Sequence, residues 1–506
     1  MSCDIEDIDI RRPSKAIETR LDKQKSSQVM TICLENIASS MQEKYRVFVK
    51  TWGCSHNRSD SEIMSGLLES NGYILTEDMQ DAHVWLLNSC TAKTPSEDKF
   101  IHFINTGLKL QKKIVLAGCV TEVDGESFSN KWNVSIVGVD YIDRVVEVVD
   151  EAVQGHTTIL IGKRELPSLV IPKVRQNKFI EIISVSSGCL NHCTYCKTKL
   201  ARGELRSYSI KDIVDRCASV FSCEGVREIW LTSEDLGAYG IDIGTDIIKL
   251  IDAILRVTPI GCMIRLGMTN PPYMYTHAQD LVRILSDTRV YSFLHIPVQS
   301  GSNSVLADMR REYCIDDFES LVQTVTSAVP GGVHIATDII CGYPTETEQD
   351  FQLTMQLIEK YKFPSLYINQ FYPRSNTFAA LLPQLSTIVK RKRTRHLTKI
   401  FKSYQSFDRH LNSIQMCLFT EIAKDGFNLV GHTKRYEQVL CAPGNSKIKL
   451  GSWANVRIVK CGKYSMEAVP VKSDHIKVTI LKAVSAIALS IVISKISIFI
   501  VKNYSG

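Results

Sequence analysis

Three thiols within eight residues, Cys189, Cys193 and Cys196, end the stretch Ile183-Ser-Val-Ser-Ser-Gly-Cys-Leu-Asn-His-Cys-Thr-Tyr-Cys196. The run before them is β-branched, so they lie on a loop leaving a strand. The spacing C-x3-C-x2-C folds three thiolates around one face of a compact turn. Three thiolates suit a four-iron cluster whose fourth iron stays open for a ligand. The alternative is a zinc knuckle, with His192 completing a Cys3His tetrahedron. Sixteen cysteines behind an opening Met-Ser-Cys-Asp-Ile-Glu-Asp, with no apolar leader, argue for reduced thiols and against a secreted disulfide framework.

The same arrangement recurs upstream. Tyr45-Arg-Val-Phe-Val-Lys-Thr, Ala82-His-Val-Trp-Leu-Leu-Asn and Lys113-Ile-Val-Leu-Ala are β-rich runs separated by helical stretches, and each leads into a cysteine: Cys54, Cys90 and Cys119. In a parallel sheet those three loops share the carboxyl edge, where such folds place ligands. Ser59-Asp-Ser-Glu62 has the form of a capping box opening the helix after Cys54. Small residues buried at strand ends are the plainer explanation of any one of these cysteines.

Between about 178 and 380 six further β-runs alternate with helical stretches: Phe179 to Val185, Glu228 to Leu231, Met263 to Met268, Tyr291 to Val298, His334 to Cys341 and Ser365 to Phe371. Six units predict a partial parallel barrel, with its reactive mouth at the carboxyl ends of the strands. The C-x3-C-x2-C loop follows the first strand and so lands at that mouth. Loops such as Thr232-Ser-Glu-Asp-Leu-Gly and Pro297-Val-Gln-Ser-Gly bring glycine, carboxylate and hydroxyl groups to the same edge, suited to a polar cofactor.

The cysteine triads resemble those of the radical S-adenosylmethionine methylthiotransferases that modify transfer RNA. The resemblance extends to Thr51-Trp-Gly-Cys-Ser-His-Asn57, Leu116-Ala-Gly-Cys119, Ile229-Trp-Leu-Thr-Ser-Glu-Asp235 and Leu294-His-Ile-Pro-Val-Gln-Ser300. The nearest branch is the eukaryotic and archaeal one acting on threonylcarbamoyladenosine, and the match runs from about 45 to 472. It implies a methylthio group added to C2 of the threonylcarbamoylated adenosine beside the anticodon, in a lysine tRNA. It further implies two [4Fe-4S] clusters, one on Cys54, Cys90 and Cys119 and the other on Cys189, Cys193 and Cys196. S-adenosyl-L-methionine is the cofactor, with Glu234, Asp235, Gln299 and Asp338 as candidate contacts. An electron donor and a sulfur source are the other implied partners. Isopentenyladenosine or a ribosomal protein residue is the alternative substrate within the class; outside it stands a membrane-tethered RNA-binding protein with structural zinc. Two departures from the family pattern are Arg374-Ser-Asn-Thr-Phe-Ala-Ala380, which lacks two prolines and a glycine, and Thr345 in place of a glycine.

Charge enters through its distribution, since the net charge is only +6. Lys390-Arg-Lys-Arg393 begins a helical stretch dense in cations, a candidate RNA-binding face. Short β-rich runs from 416 to 472 predict a small barrel resembling the TRAM domain, with Tyr436 and Trp453 available to stack on bases. The apolar stretch 478–501 would span about 36 Å as a helix against a hydrocarbon core of about 30 Å. It predicts a transmembrane tail anchor with the remaining domains in the cytosol, and the resemblance points to the endoplasmic reticulum membrane. The expected fold is therefore α/β throughout its catalytic part. It comprises a flexible leader (1–44), an N-terminal parallel domain (45–155), a partial (β/α)6 barrel (175–385), a basic helical connector (386–415), a TRAM-like barrel (416–472) and a transmembrane helix (478–501).

Overall fold

The computed structural model describes residues 45–91, 94–442 and 448–471. The first unit is a six-stranded parallel sheet of β1 (Arg46–Trp52), β2 (Ile74–Thr76), β3 (Val84–Ser89), β4 (Lys113–Ala117), β5 (Ser135–Val137) and β6 (Ile159–Leu160), in the order β2-β1-β3-β4-β5-β6. All of β3 is buried, which is why Val-Trp-Leu-Leu reads as a continuous apolar run and not an alternating one. The pairs Trp52↔Ser89 and Asn88↔Ala117 put the ends of β1, β3 and β4 level, so Cys54, Cys90 and Cys119 leave one edge.

The helix after β1 covers Ser55–Ser70, with Cys54 as its N-cap. Ser59 and Glu62 lie inside it, so the capping-box reading is corrected. They are buried against the next unit, where Ser59 Oγ donates to the Ile182 carbonyl at 3.1 Å and Glu62 Oε1 accepts from the Gln176 amide at 3.1 Å.

The second unit begins with β7 (Ile180–Ser184). A short antiparallel pair, β8 (Ser186–Ser187) and β9 (Arg206–Ser207), brackets the cysteine loop. Then come β10 (Glu228–Thr232), β11 (Met263–Arg265), β12 (Phe293–His295), β13 (His334–Cys341) and β14 (Ser365–Gln370). The six parallel strands fall where the β-runs predict them. They form two three-stranded sheets, β11-β10-β7 and β12-β13-β14, joined across β11 and β12 by the single bridges Ile264↔Val290 and Met268↔His295. Side-chain alternation sets the two faces. Ile229, Leu231, Ile264, Leu294, Ile335 and Ile339 face outward into the core shared with the surrounding helices, leaving Trp230, Arg265, Phe293, His295 and Asp338 to the lumen.

A closed five-stranded barrel completes the fold: β15 (Ile414–Ile422), β16 (Leu429–His432), β17 (Gln438–Cys441), β18 (Ser452–Cys461) and β19 (Met466–Pro470). It closes the amino end of the lumen. Tyr436 stacks on His432 at 4.2 Å and meets the rings of Tyr291 and Phe293 at 4.8 and 5.2 Å. Trp453 Nε1 donates to the Gly261 carbonyl at 2.7 Å, and Lys434 Nζ to the carbonyls of Leu285 and Asp287 at 3.0 and 2.7 Å. The expectation that Tyr436 and Trp453 stack on bases is thereby corrected: both rings are turned into the protein, where apolar burial outweighs exposure to a ligand.

Among the described residues no helix is long and apolar enough to cross a membrane. The longest, Thr387–Ser403, has 17 residues and so spans only about 26 Å, and it carries cations along its outer face. The expected architecture is corrected on this element. The stretch 478–501, which was to form the spanning helix and from which the tail anchor and membrane location were read, lies outside the described residues, as does the leader 1–44.

Candidate active site

The loop carrying Cys189, Cys193 and Cys196 is folded back by backbone bonds. The Cys189 amide donates to the Gly203 carbonyl and the Cys196 amide to the Cys193 carbonyl, both at 3.1 Å. Gly188 sits at φ +88°, and a Cβ there would fall 1.9 Å from the Glu204 carbonyl oxygen, so the turn admits only glycine. The thiols border a cavity of about 230 Å3, whose other walls include Asn191, Arg310 and Phe378. Phe378 belongs to the loop that departs from the family pattern.

Two donors already address the sulfurs: Arg311 Nη1 lies 3.2 Å from Cys193 Sγ, and the Thr198 amide 3.3 Å from Cys196 Sγ. Burial pushes the Cys189 thiol up to about 12, so binding a metal there must release a proton. Among the described residues no three His, Cys, Asp or Glu side chains converge tightly enough for a single metal ion. Cys189, Cys193 and Cys196 all line one cavity, a thiolate donor set that fits an iron–sulfur cluster. His192 is drawn aside to Lys199 Nζ at 2.8 Å.

The second triad gathers at the edge of the first sheet. Cys54 is exposed, Cys90 half-buried and Cys119 buried. Asn57 Oδ1 lies 3.4 Å from Cys54 Sγ and 4.0 Å from Cys119 Sγ. Gly118, at φ +92°, permits the approach of the strand ends, since a Cβ would meet Asn88 Oδ1 at 2.1 Å. A hydrogen bond from the Cys90 thiol pulls Cys119 below the ordinary thiol range; burial opposes this and the Arg202 guanidinium assists it.

Arg202 joins the two triads. It ends the helix Thr198–Arg202 that follows Cys196, yet it is 2% exposed and reaches into the first unit. Its Nε lies 3.2 Å from Cys119 Sγ and 3.2 Å from Glu234 Oε1. Its Nη1 is 2.8 Å from His56 Nε2, and its Nη2 2.7 Å from Asp60 Oδ2. His56 Nδ1 is 2.8 Å from Glu234 Oε1. The ring is thus clamped between the guanidinium and the carboxylate. Burial raises the Glu234 carboxyl, but His56 and Arg202 outweigh it and hold the group below its ordinary range. Ser55 Oγ and Thr232 Oγ1 meet at 2.7 Å beside this network. The cysteine edge of the first sheet is thus docked on the barrel mouth.

The four candidate cofactor contacts are placed differently from one another. Glu234 belongs to the network just described. Asp235 is 1% exposed and bonded on both oxygens: Oδ1 accepts from the Asn270 amide at 3.1 Å, while Oδ2 accepts from Asn270 Nδ2 at 2.6 Å and Asn191 Nδ2 at 3.2 Å. Burial pushes its carboxyl up to about 6 against those bonds. Asn270 Oδ1 in turn accepts from Arg311 Nη2, so Asp235 braces the donor to Cys193. Asp338 faces the lumen, paired with His295 Nε2 and, at 3.3 Å, with Asn369 Nδ2. Gln299 is held at φ +68° by bonds with the Asp338 carbonyl (2.8 Å) and the Ile340 amide (2.9 Å), a conformation that costs a residue with a Cβ about 1 to 3 kcal/mol.

The basic stretch is divided. Arg391 and Lys392 are exposed on the helix Thr387–Ser403, but Lys390 and Arg393 are each 5% exposed. Arg393 Nη1 lies 2.6 Å from Glu346 Oε2, and Lys390 Nζ 3.2 Å from Gln384 Oε1. The reading of all four as one RNA-binding face is corrected: two of them pack the helix onto the barrel.

Sequence reasoning missed Arg202, His56, Asp60 and Arg311. A lone arginine in Lys-Leu-Ala-Arg-Gly carries no sign of burial, although His56 and Asp60 at i and i+4 do mark one helix face.

Residues 46–138 match the family model described as uncharacterized protein family UPF0004, and residues 183–358 match that of the Radical SAM superfamily. The chain is 47% identical over 94% of its length to a threonylcarbamoyladenosine tRNA methylthiotransferase of Danio rerio, covering 86% of that protein. It is 51% identical over 85% of its length to the Homo sapiens protein of the same name, covering 75% of it. To a probable threonylcarbamoyladenosine tRNA methylthiotransferase of Pyrococcus horikoshii it is 35% identical, over 79% of this chain and 94% of the other. With both matched segments holding their cysteines at one mouth, the chain belongs to the threonylcarbamoyladenosine tRNA methylthiotransferases of the radical S-adenosylmethionine superfamily.

Proposed function

We propose that this chain converts N6-threonylcarbamoyladenosine beside the anticodon of a lysine tRNA into its 2-methylthio derivative, using two [4Fe-4S] clusters and S-adenosyl-L-methionine. The observation that carries the reading is the Arg202 bridge, which brings the Cys119 edge and the Cys189 loop to a common mouth. When bound, the cluster and S-adenosyl-L-methionine supply the radical chemistry needed at an unactivated aromatic carbon, which no side chain supplies.

The residues of the chain hold and aim these groups. Cys189, Cys193 and Cys196 ligate one cluster, Arg311 donates to Cys193, and Asp235 fixes Asn270 beneath that arginine. Cys54, Cys90 and Cys119 would hold the second, which would supply the sulfur chemistry. The lumen-facing pair His295 and Asp338 lies below the mouth. An electron donor and a sulfur source are the remaining partners. The relatives' shared name favours threonylcarbamoyladenosine over isopentenyladenosine or a ribosomal protein residue.

The test is anaerobic reconstitution of the full chain, followed by incubation with tRNA bearing threonylcarbamoyladenosine and mass spectrometry of its nucleosides. About eight iron and eight sulfide per chain and a methylthiolated product are expected. A colourless zinc protein, or a product on another base, would overturn the reading.

A further inference from the structure

Each cysteine triad carries one arginine on one sulfur, the half-buried Arg311 on Cys193 and the buried Arg202 on Cys119, both at 3.2 Å. The two are not equivalent. Arg311 stays within the barrel, tying Cys193 to Asn270. Arg202 reaches out of it. It starts from the loop of one triad and donates to a sulfur of the other, and the rest of its guanidinium is taken up by His56, Asp60 and Glu234. Its contacts thus come from the helix after β1, the end of β4 and the loop after β10.

We infer that Arg202 is a positioning residue that holds the strand-end triad over the barrel mouth and sets the reduction potential of the cluster ligated there. The physical case has two parts. A planar fork with five donors can satisfy a sulfur, a carboxylate and an imidazole at once in fixed directions; a lysine ammonium, a point charge, cannot. A charged donor on a ligand sulfur also stabilises added negative charge at the cluster, and hydrogen bonds to the sulfurs are among the factors that set its potential. Asp60 and Glu234 offset the positive charge of the arginine, so the group is directional and not merely cationic. Burial keeps it so: with Arg202 at 2% and Glu234 at 7% exposure of the side chain, the donor lies in a low-dielectric setting that strengthens its bonds. The reactive carbon and the sulfur donor must meet within bonding reach, so a residue fixing one triad to the loop of the other controls whether radical formation leads to product.

This inference rests on the two-cluster reading above. Its test is Arg202→Lys in the reconstituted full chain, with two measurements. Product formed per 5′-deoxyadenosine should fall at least tenfold while 5′-deoxyadenosine itself continues to form. In a background also carrying Cys189→Ala, Cys193→Ala and Cys196→Ala, so that only the strand-end cluster reports, a redox titration should show its midpoint moved to more negative potential. Arg202→Met should move both further in the same direction. Iron analysis of the parent separates the two levels: a parent holding a single cluster overturns both readings. A parent with both clusters, whose Arg202→Lys variant keeps the midpoint and the coupling ratio, overturns the role of Arg202 alone. A lower melting temperature in that variant would not rescue the role, because Arg202 would then be only a structural tie.

Discussion

Arg393 Nη1 and Glu346 Oε2 lie 2.6 Å apart with side chains 6% and 1% exposed, so a residue that reads as part of a basic surface is half of a buried ion pair. The Glu346 carboxylate also accepts from the Gly342 amide at 2.7 Å, which anchors the loop after β13. Burial pushes the Glu346 carboxyl up to about 7 even with Arg393 opposing it, which marks how poorly the site would tolerate the loss of its partner. Arg393→Ala should therefore destabilise the fold by about 3 to 5 kcal/mol, read by thermal or denaturant unfolding.

Arg391 and Lys392, by contrast, face solvent. Replacing both by alanine should leave the melting temperature within about a degree of the parent, since exposed substitutions usually change stability by under 0.5 kcal/mol. If they contact tRNA phosphates, the slope of log affinity against log salt should flatten by about 0.7 to 0.9 per contact. An unchanged slope would assign both to a solvated face.

This division was legible in the sequence had spacing been weighed above charge. Lys390, Arg393, Leu397 and Phe401 recur at intervals of three and four and form the buried stripe of their helix, while Arg391, Lys392 and Arg395 fall between them. The placement of the cysteines at strand ends was legible for a different reason: the runs before Cys54, Cys90, Cys119 and Cys189 are β-rich, and the carboxyl edge of a parallel sheet is a place that can be inferred without coordinates. The barrel strands were found within a few residues because β-branched runs between helical stretches are a strong local signal. The Arg202 network was not legible, because it joins residues up to 178 positions apart and nothing in the sequence links His56, Asp60 and Glu234 to one arginine. Tyr436 and Trp453 were misread because an aromatic ring on a basic strand looks the same in sequence whether it faces a ligand or the floor of another domain.

The cysteine triads should be separable by function. Alanine at Cys189, Cys193 or Cys196 removes a ligand of the cluster that engages S-adenosyl-L-methionine, so 5′-deoxyadenosine and product should both vanish. Alanine at Cys54, Cys90 or Cys119 should leave roughly half the iron and some 5′-deoxyadenosine formation under strong reductant, with no methylthio product. A Cys90→Ala enzyme with full product yield would demote that triad to structure.

Glu437 carries a pH dependence whose sign is fixed. It is 1% exposed and bound by Arg409 Nη2 at 2.8 Å and His410 Nε2 at 3.1 Å. Burial works to raise its carboxyl, but His410, Arg435 and Arg409 together bring it down from 4.5 to about 2. A depressed folded-state value means the contribution, about 3 kcal/mol, is complete above pH 4.5 and is lost as the pH falls toward 2. Unfolding free energy measured across that interval should drop with acid in the parent and drop less in Glu437→Gln.

Trp453→Ala should cost about 3 to 5 kcal/mol by emptying its place against the barrel floor and leaving the Gly261 carbonyl without its donor. Its effect on the salt dependence of tRNA binding should be nil, which separates packing from nucleic-acid contact.

The seating of Tyr436 among Tyr291, Phe293 and His432, with the Arg265 guanidinium 4.8 Å from the Tyr436 ring, gives the C-terminal barrel a second identity as the bottom layer of the central one. Deleting it would not yield a catalytic core with weaker RNA affinity; it would open the lumen to water from below and strip the rings of Tyr291 and Phe293 of their packing partner. For the same reason a chimera could exchange this module with that of a relative only together with the lumen residues at positions 265, 291 and 293. The boundary at which recombination can cut this protein therefore does not coincide with the boundary of its last domain.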